Sequence, residues 1–455
     1  MFQNLPSYAD LSVAGDWLPE VPTHWAWDPA RTLFKERKET GYIDEPLLSV
    51  TIARGVIPQA ELLASTSKKD SSNADKSKYK LVETGDLVYN KMRAWQGAAG
   101  LSRHRGIVSP AYVVMTARRG EAAYFHHLVR THMFAKEAER WSYGITSDQW
   151  SLRPEHFKMI RFPVPPAEEQ AAIVKYLAHA NARIDAAIAA KRRLVALLDE
   201  QRLATAAQLI SEVEGDRMRL KNVASLQTGL TLGKDYGDKD LNEYPYLRVA
   251  NVQMGHVTTE DVATVRVPAE EAVRCTLRPG DVLMTEGGDI DKLGRGTVWD
   301  GAIDGCLHQN HVFAVRCQDR LLPEYLAAWL AAPEPRWYFY VTAKKTTNLA
   351  ATNSTTVRGL PIVLPSLREQ QAVLAEVAEA TAPIASAVAR SEREIQLLRE
   401  FRTRLVAEVV TGRVDVRAVA AALPEVESAA AWGDSGFPGD DEPAELDDML
   451  VESEG

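Results

Sequence analysis

The sequence predicts an α+β protein made of an internal repeat: two similar mixed-sheet domains and two long helices that pack on one another as a coiled coil. Three observations carry that prediction. First, "PPAEEQAAIVKYLAHANARIDAAIAAKRRLVALL", from Pro165 to Leu198, returns as "PSLREQQAVLAEVAEATAPIASAVARSEREIQLL" from Pro365 to Leu398. Second, both stretches space their apolar residues by alternating threes and fours, the mark of a two-helix seam. Third, the block ahead of each helix is a series of short β-branched and aromatic runs broken by Gly, Pro and Asp turns.

The repeat is a duplication. At an offset of 200 without gaps, 16 of the 46 positions from Pro165 to Ile210 are identical; seven of these are alanine, but pairs such as Pro165/Pro365, Glu169/Glu369, Gln170/Gln370, Ile184/Ile384, Arg193/Arg393 and Glu200/Glu400 remain. The match continues upstream, "PLLSVTIARG" from Pro46 against "PYLRVANVQMG" from Pro245, and "TGDLVYN" from Thr84 against "PGDVLMT" from Pro279. Each copy is therefore a non-helical block followed by a long helix.

In the first helix the seam is expected at Ile173, Leu177, Ala180, Ile184, Ala187, Lys191, Leu194 and Leu198. In the second it is expected at Leu374, Val377, Ile384, Val388, Ile395, Leu398, Leu405 and Val409. Pro165, Pro166 and Pro365 precede the helices, where a missing N–H costs nothing, and the Glu-rich first turns suit the helix dipole. Neither apolar stripe is stable in water and each has a sibling of matching length, so the two helices are expected to pair; some 40 residues at ~1.5 Å each make a rod of ~60 Å. Pro383 lies inside the second helix and is expected to kink or interrupt it near Thr381.

Within the blocks, "DLVYN", "AYVVM", "YLRVANV", "DVLMT" and "HVFAV" read as strands, and "AYFHHLVRTHMFAKEAERW" and "PEYLAAWL" as helices. The expected divisions are residues 1–163 for the first block, 164–214 for the first helix, 215–363 for the second block, 364–415 for the second helix and 416–455 for a tail. A chain of 455 residues exceeds what one core organises, and a hydrophobic content of 45% is ample for packed interiors. Three cysteines, Cys275, Cys306 and Cys317, show no C-x-x-C spacing, which fits buried thiols in a reducing compartment better than a disulfide framework or a thiolate metal site. The N-terminus has no basic start followed by an apolar core, and no run reaches the roughly 18 uninterrupted apolar residues of a membrane span, so a cytoplasmic location is expected.

The net charge of −9 hides an uneven distribution. Eleven acidic residues and no basic one follow Leu423; the rest of the chain holds 53 basic and 51 acidic residues, so local patches matter more than the total. The acidic tail is expected to be disordered, because it cannot bury enough apolar surface to offset the entropy of ordering.

Catalytic signatures are scarce. No G-x-G-x-x-G opens a helix, no phosphate-binding G-x-x-x-x-G-K-[ST] occurs, and there is no Asn-Pro-Pro-aromatic tetrapeptide of the kind used by base methyltransferases. "EGGDIDKLGRG" from Glu286 reads as a hairpin turn, and "HQNH", His308 to His311, as a polar loop edge without further metal ligands. Metal and catalytic residues are accordingly none.

The polar loops point to a polyanion. "STSKKDSSNADKSKYK", Ser65 to Lys80, carries five lysines against two aspartates; "TAKKTTNLAATNSTTVRG", Thr342 to Gly359, combines Lys344, Lys345 and Arg358 with eight Thr, Asn or Ser side chains between Thr346 and Thr356. Lysine supplies phosphate affinity through counterion release, while amide and hydroxyl side chains can read base edges. "NKMRAWQGAAG" and "YGITSDQW" add cationic and polar residues beside tryptophans. The candidate DNA-binding residues are Lys68, Lys69, Lys78, Lys91, Arg93, Gln96, Tyr143, Ser147 and Gln149 in the first block. In the second they are Arg248, Asn251, Lys292, Arg295, Lys344, Lys345, Thr346, Asn348, Asn353 and Thr355.

The two-copy layout, "GDLVYNKMRAWQGAAG" leading to "FPVPPAEEQAAI", and "PGDVLMTEGG" leading to "LPIVLPSLREQQAV" together resemble the specificity (S) subunits of type I restriction-modification systems, over residues 17 to 415. The resemblance implies two target-recognition domains, one for each half of a split asymmetric DNA site, joined by helices that pack as an antiparallel spacer. It implies a non-catalytic subunit that binds double-stranded DNA, two methyltransferase subunits and, through them, endonuclease/translocase subunits. S-adenosylmethionine, ATP and Mg²⁺ would be used by those partners and no cofactor by this chain. A coiled-coil scaffold that binds only proteins, or a DNA enzyme with an unrecognised active site, is the alternative.

Overall fold

The computed structural model describes residues 5–14, 17–64, 75–144, 150–237, 239–288, 290, 293–345 and 350–425. The chain divides into two compact units: residues up to Arg192 together with those from Glu392 onward, and Arg193–Ser391. The division falls inside the two long helices and not at their starts.

In the first unit, β1 (Ala26–Pro29) precedes a four-stranded antiparallel sheet. Its strands are β2 (Phe34–Arg37), β3 (Leu87–Asn90), β4 (Ala99–Leu101) and β5 (Tyr112–Ala117), in the order β2-β5-β3-β4 with Val114 opposite Val88. Two helices follow, α1 (Ala122–Val129) and α2 (His132–Arg140). The sequence suggests one helix here; Thr131 breaks it, its hydroxyl capping α2 by accepting from the Phe134 N–H at 3.2 Å. Strand β6 (Arg161–Val164) returns to pair antiparallel with β1 and leads into α3 (Ala167–Ser211), 45 residues long. The interior is a cluster of rings in which Phe34 meets Phe125 at 5.1 Å and Phe162 at 5.7 Å.

The second unit repeats this plan. Strand β7 (Asp216–Arg219) precedes β8 (Ala224–Thr228), β9 (Val282–Thr285), β10 (Gly296–Val298) and β11 (Val312–Cys317), in the order β8-β11-β9-β10 with Val315 opposite Val282. Helices α4 (Pro323–Ala331) and α5 (Pro333–Thr342) follow. The sequence does not show α5, because Pro333 and Pro335 resemble loop punctuation; both fall in its first turn, where proline is tolerated. Then come β12 (Lys344–Lys345), β13 (Ala350–Ala351), the short α6 (Ser354–Gly359) and β14 (Pro361–Leu364), which pairs antiparallel with β7 and leads into α7 (Leu367–Val410), 44 residues long. The "EGGDIDKLGRG" segment does connect two antiparallel strands, β9 and β10. The "YLRVANV" strand stops at Leu247 and passes into a 3₁₀ turn, Val249–Asn251.

Both long helices complete the core of each unit. In the first unit Ile173, Tyr176, Leu177 and Ala180 of α3 share the interior with Leu405, Val406, Val409 and Val410 of α7. In the second, Ile210 of α3 shares it with Val373, Leu374 and Val377 of α7. Within the first unit, α3 and α7 run antiparallel: Asp185 pairs with Arg402 and Lys191 with Glu394, so ascending numbers on one helix meet descending numbers on the other. Ile184, Ile188 and Ile395 fill the seam between them. Two expected seam positions are corrected. Ile188 replaces Ala187, and Leu194 is 44% exposed while Val195 is half-buried. Steps 184-188-191-195 satisfy the spacing as well as 184-187-191-194, and burial favours the β-branched residues. Contrary to the sequence expectation, the helix is not interrupted at Pro383; Thr381 Oγ1 donates to the Val377 carbonyl at 2.7 Å inside a continuous helical run.

Among the described residues α7 is the one helix long and apolar enough to cross a membrane by length and composition. Its ends are built into the two cores just described. Described structure continues past residue 416, where the tail is expected to start. Helix α8 (Arg417–Ala421) buries Ala420, the Asp415 N–H donates to the Pro6 carbonyl at 2.8 Å, and Lys175 pairs with Glu425 at 2.6 Å. The remaining tail, 426–455, lies outside the described residues.

The glutamine of each Glu-Gln motif ties a head to its long helix. Gln170 donates to the Pro165 carbonyl (2.7 Å) and accepts from the Glu121 N–H (2.7 Å), at the start of α1. Gln370 donates to the Pro365 and Arg320 carbonyls (3.0 and 2.8 Å) and accepts from the Leu322 N–H (2.9 Å), at the start of α4. Both amides are buried. Gln370→Leu keeps much of the volume but removes the partner of one N–H and two carbonyls, and should lower stability by roughly 1–3 kcal/mol in thermal or denaturant unfolding. Gln170→Leu should act alike in the first unit.

A pH dependence follows from His126. Burial holds its imidazole well below the ordinary 6.5, helped by His127 and Arg130, and neutral Nδ1 accepts the Leu101 N–H at 3.2 Å. Below 6.5 the unfolded chain takes up a proton that the folded chain does not, so stability falls as pH falls. The unfolding temperature should drop between pH 7 and pH 5.5, and His126→Gln should flatten that drop.

Candidate nucleic-acid interface

The scaffold under each set of loops is built from the "GD" turn. Gly85 and Gly280 hold φ near +90°, which only glycine adopts freely, and they place the following aspartate under the sheet. Asp86 accepts from the Glu83 N–H (2.9 Å) and from Arg37 Nε (2.8 Å). Asp281 accepts from the Arg278 N–H (2.8 Å) and from Arg316 Nε and Nη2 (2.7 and 2.6 Å). The arginine comes from the edge strand in one unit and from its neighbour in the other, yet it closes the same buried carboxylate.

In the first unit the structure gathers two of the predicted loops. Lys91, Arg93 and Gln96 lie on the turn after β3, with Gln96 exposed and the two cations half-buried. The Leu152 N–H donates to the Lys91 carbonyl at 2.8 Å, and Trp95 meets Trp150 at 5.5 Å, so this turn is fastened to the segment that follows Tyr143. Tyr143 is 59% exposed and packs edge-on to His156 at 4.8 Å. Lys78 is exposed but not joined to this group by a described contact. Lys80, by contrast, is tied down, its ammonium donating to the Pro110 and Tyr112 carbonyls.

In the second unit Lys344 and Lys345 form β12, which pairs with β13, and β13 pairs in turn with the two-residue strand Gly287–Gly288 of the Gly-rich hairpin. Helix α5 is pinned to the same hairpin. A Cβ on Gly294 would stand 2.1 Å from the Phe339 ring, so glycine lets the helix approach. Arg295 follows, half-buried, and Thr355 is exposed on α6. Asn353 is committed elsewhere, its Oδ1 capping α6 by accepting the Thr356 N–H at 2.9 Å. Arg248 and Asn251 are set apart. Asn251 is buried, accepting from the Arg248 N–H (2.9 Å) and donating to the Thr258 and Asp261 carbonyls (3.1 and 3.0 Å), and Arg248 pairs with Asp261. The alternation of apolar and polar residues does not distinguish a loop amide that faces solvent from one that closes its own turn. Lys68, Lys69, Ser147, Gln149, Lys292, Thr346 and Asn348 lie outside the described residues.

Other reactive side chains among the described residues are buried or already paired. His308 is buried, with Nδ1 2.7 Å from the Val312 carbonyl and burial holding its pKa down, while His311 pairs with Glu286 at 2.6 Å. Cys275 and Cys306 are buried, and burial pushes the Cys306 thiol up to about 11. Among the described residues no group of three His, Cys, Asp or Glu could hold a metal ion.

A duplicated chain whose two domains share one pair of helices and carry cationic, amide-rich loops defines a two-headed binding protein. Known proteins with similar sequences share a single description. The chain is 22% identical over 329 residues to the type I restriction enzyme EcoKI specificity subunit of Escherichia coli K12, covering 67% of this chain and 68% of that one. It is 21% identical over 268 residues to the type I restriction enzyme StySPI specificity subunit of Salmonella potsdam, covering 56% and 57%. Among solved structures, a chain of a type I restriction-modification complex matches with a TM-score of 0.49 at 16% identity over 87% of this chain and 99% of its own. An S subunit from Thermoanaerobacter tengcongensis matches with a TM-score of 0.39 at 16% identity, covering 87% and 98%. No protein-family model matches. The chain is thus similar, over two thirds of its length, to a specificity subunit of a type I restriction-modification system.

Lys344→Ala with Lys345→Ala should weaken duplex binding at all sequences alike and lower the slope of log affinity against log salt by roughly 1.8, the value for two phosphate contacts. Fluorescence anisotropy of a labelled duplex across a salt series measures it.

Proposed function

We propose that the chain reads a split, asymmetric DNA site, one half with each head, and brings methyltransferase and endonuclease subunits to it. The observation that carries this reading is the duplication of a whole head, each copy joining polar, cationic loops to the same two helices. Two half-sites held by one chain multiply their discrimination without one continuous interface. Lys91, Arg93, Gln96 and Tyr143 serve one head, and Arg295, Lys344, Lys345 and Thr355 the other; Lys78 and the predicted residues outside the described segments extend these sets. Asn251 is left out, because its polar atoms are already bonded inside its own turn.

The surfaces of α3 and α7 that the heads leave exposed would carry the partners, two methyltransferase subunits and through them the endonuclease/translocase subunits, with antiparallel helices offering each methyltransferase an equivalent face. S-adenosylmethionine, ATP and Mg²⁺ belong to those partners in this reading, the chain itself binds no cofactor and catalyses no step, and it works in the cytoplasm. Sequencing methylated adenines in the host with and without this gene tests it. Deletion should erase one two-part motif with a fixed gap, and an unchanged methylome would refute the assignment.

A further inference from the structure

We infer that head 2 has a DNA-stacking platform, not repeated at the matching helix positions of head 1, formed by Trp337 and Tyr340 of α5 with Lys344 and Lys345 beside them. The inference deepens the DNA-reading function and rests on it.

The two copies of the fold supply the control. Tyr124 on α1 and Tyr325 on α4 occupy matching places, each donating its hydroxyl at 3.0 Å to the carbonyl of the strand that leads into a long helix, Pro163 and Val363. From that anchor, an offset of 201 residues superposes the start of α2 (His132) on that of α5 (Pro333). It places Trp337 where head 1 has Lys136 and Tyr340 where head 1 has Glu139. In head 1 both are exposed, charged residues on the outer face of the helix, the ordinary solvated pattern. The fold therefore needs no aromatic residue at either position. The inner face of α5 does its packing with Phe339, seated over Gly294.

In head 2 the same outer face carries a Trp337 ring that is 65% exposed and a Tyr340 ring that is 46% exposed, stacked 5.6 Å apart at 17°. The Lys345 ammonium lies 3.9 Å from the Tyr340 centroid, and Lys344 is exposed next to it. Paired exposed rings mark an interaction surface. Their chemistry selects the partner. An apolar protein surface would desolvate two ammonium groups with no counter-charge, whereas duplex DNA offers sugar faces, and the ring face of any unstacked or extruded base, to the aromatics and phosphates to the lysines. The platform is also continuous, through β12 and β13, with the Gly-rich hairpin of the candidate interface.

The test exchanges Trp337→Lys and Tyr340→Glu together, giving head 2 the residues that head 1 carries on the same helix face. The probe is a fluorescein-labelled duplex bearing the motif that the methylome experiment returns, bound by the full chain assembled with its methyltransferase subunits. Affinity should fall about tenfold or more, with unchanged unfolding temperature and unchanged assembly by size-exclusion chromatography, while Lys136→Ala in head 1 causes no comparable loss. A second variant, Trp337→Phe, should retain most of the affinity. Unchanged DNA binding overturns the platform and leaves the DNA-reading function standing; lost assembly with unchanged DNA binding makes the patch a protein-docking surface instead. Failure of the unsubstituted assembly to bind the duplex would overturn both.

Discussion

The architecture depends on a buried side-chain amide at the root of each long helix. Gln170 and Gln370 bond at once to the strand-to-helix junction behind them and to the start of a head helix in front, so the orientation of each head is set by hydrogen bonds from its own helix. A buried amide with its donors and acceptors matched is directional in a way that apolar contact is not, and misplacing it leaves polar groups unpaired. The preceding proline and the tyrosine hydroxyl from the head, Tyr124 or Tyr325, complete the same joint in both copies. Apolar burial then fills in around it, drawing residues of both long helices into each core.

The copies differ where their surroundings differ. Glu369 is an exposed capping residue, bonded to the Ser366 N–H and hydroxyl. Its counterpart Glu169 is buried and accepts from Trp25 Nε1 at 2.9 Å and from the Tyr8 hydroxyl, with His24 Nε2 at 2.8 Å. The N-terminal segment that supplies these donors lies against the chain after α7, which returns to the first unit. One motif thus serves as a cap in one copy and as a clasp in the other. On the outer surface the divergence is larger still, with Lys136 and Glu139 against Trp337 and Tyr340, as expected if the joint is common and the contacts are particular to each head.

Much of the fold is legible in the chain's order. The duplication, the existence of α3 and α7 and most of the strands follow from period and punctuation, because an amphipathic stripe and a Gly-Asp turn are local signals. The break at Thr131 escapes such reading because no glycine or proline marks it, and α5 escapes it because Pro333 and Pro335 look like loop residues. Site residues are the least legible. Asn251 and Lys345 are both polar and both in very short elements, yet one closes its own turn and the other is exposed.

By itself the sequence determined that two like heads would be built, each rooted on a long helix, since the repeat and the heptad spacing are properties of the chain's order alone. Tertiary structure decided which of two equally spaced stripes became the seam, that the helices run antiparallel in the first unit, and that each head borrows part of its core from the far copy's helix. Those outcomes depend on contacts between residues some two hundred positions apart, such as Asp185 with Arg402, where burial and pairing select among arrangements that local spacing leaves equal.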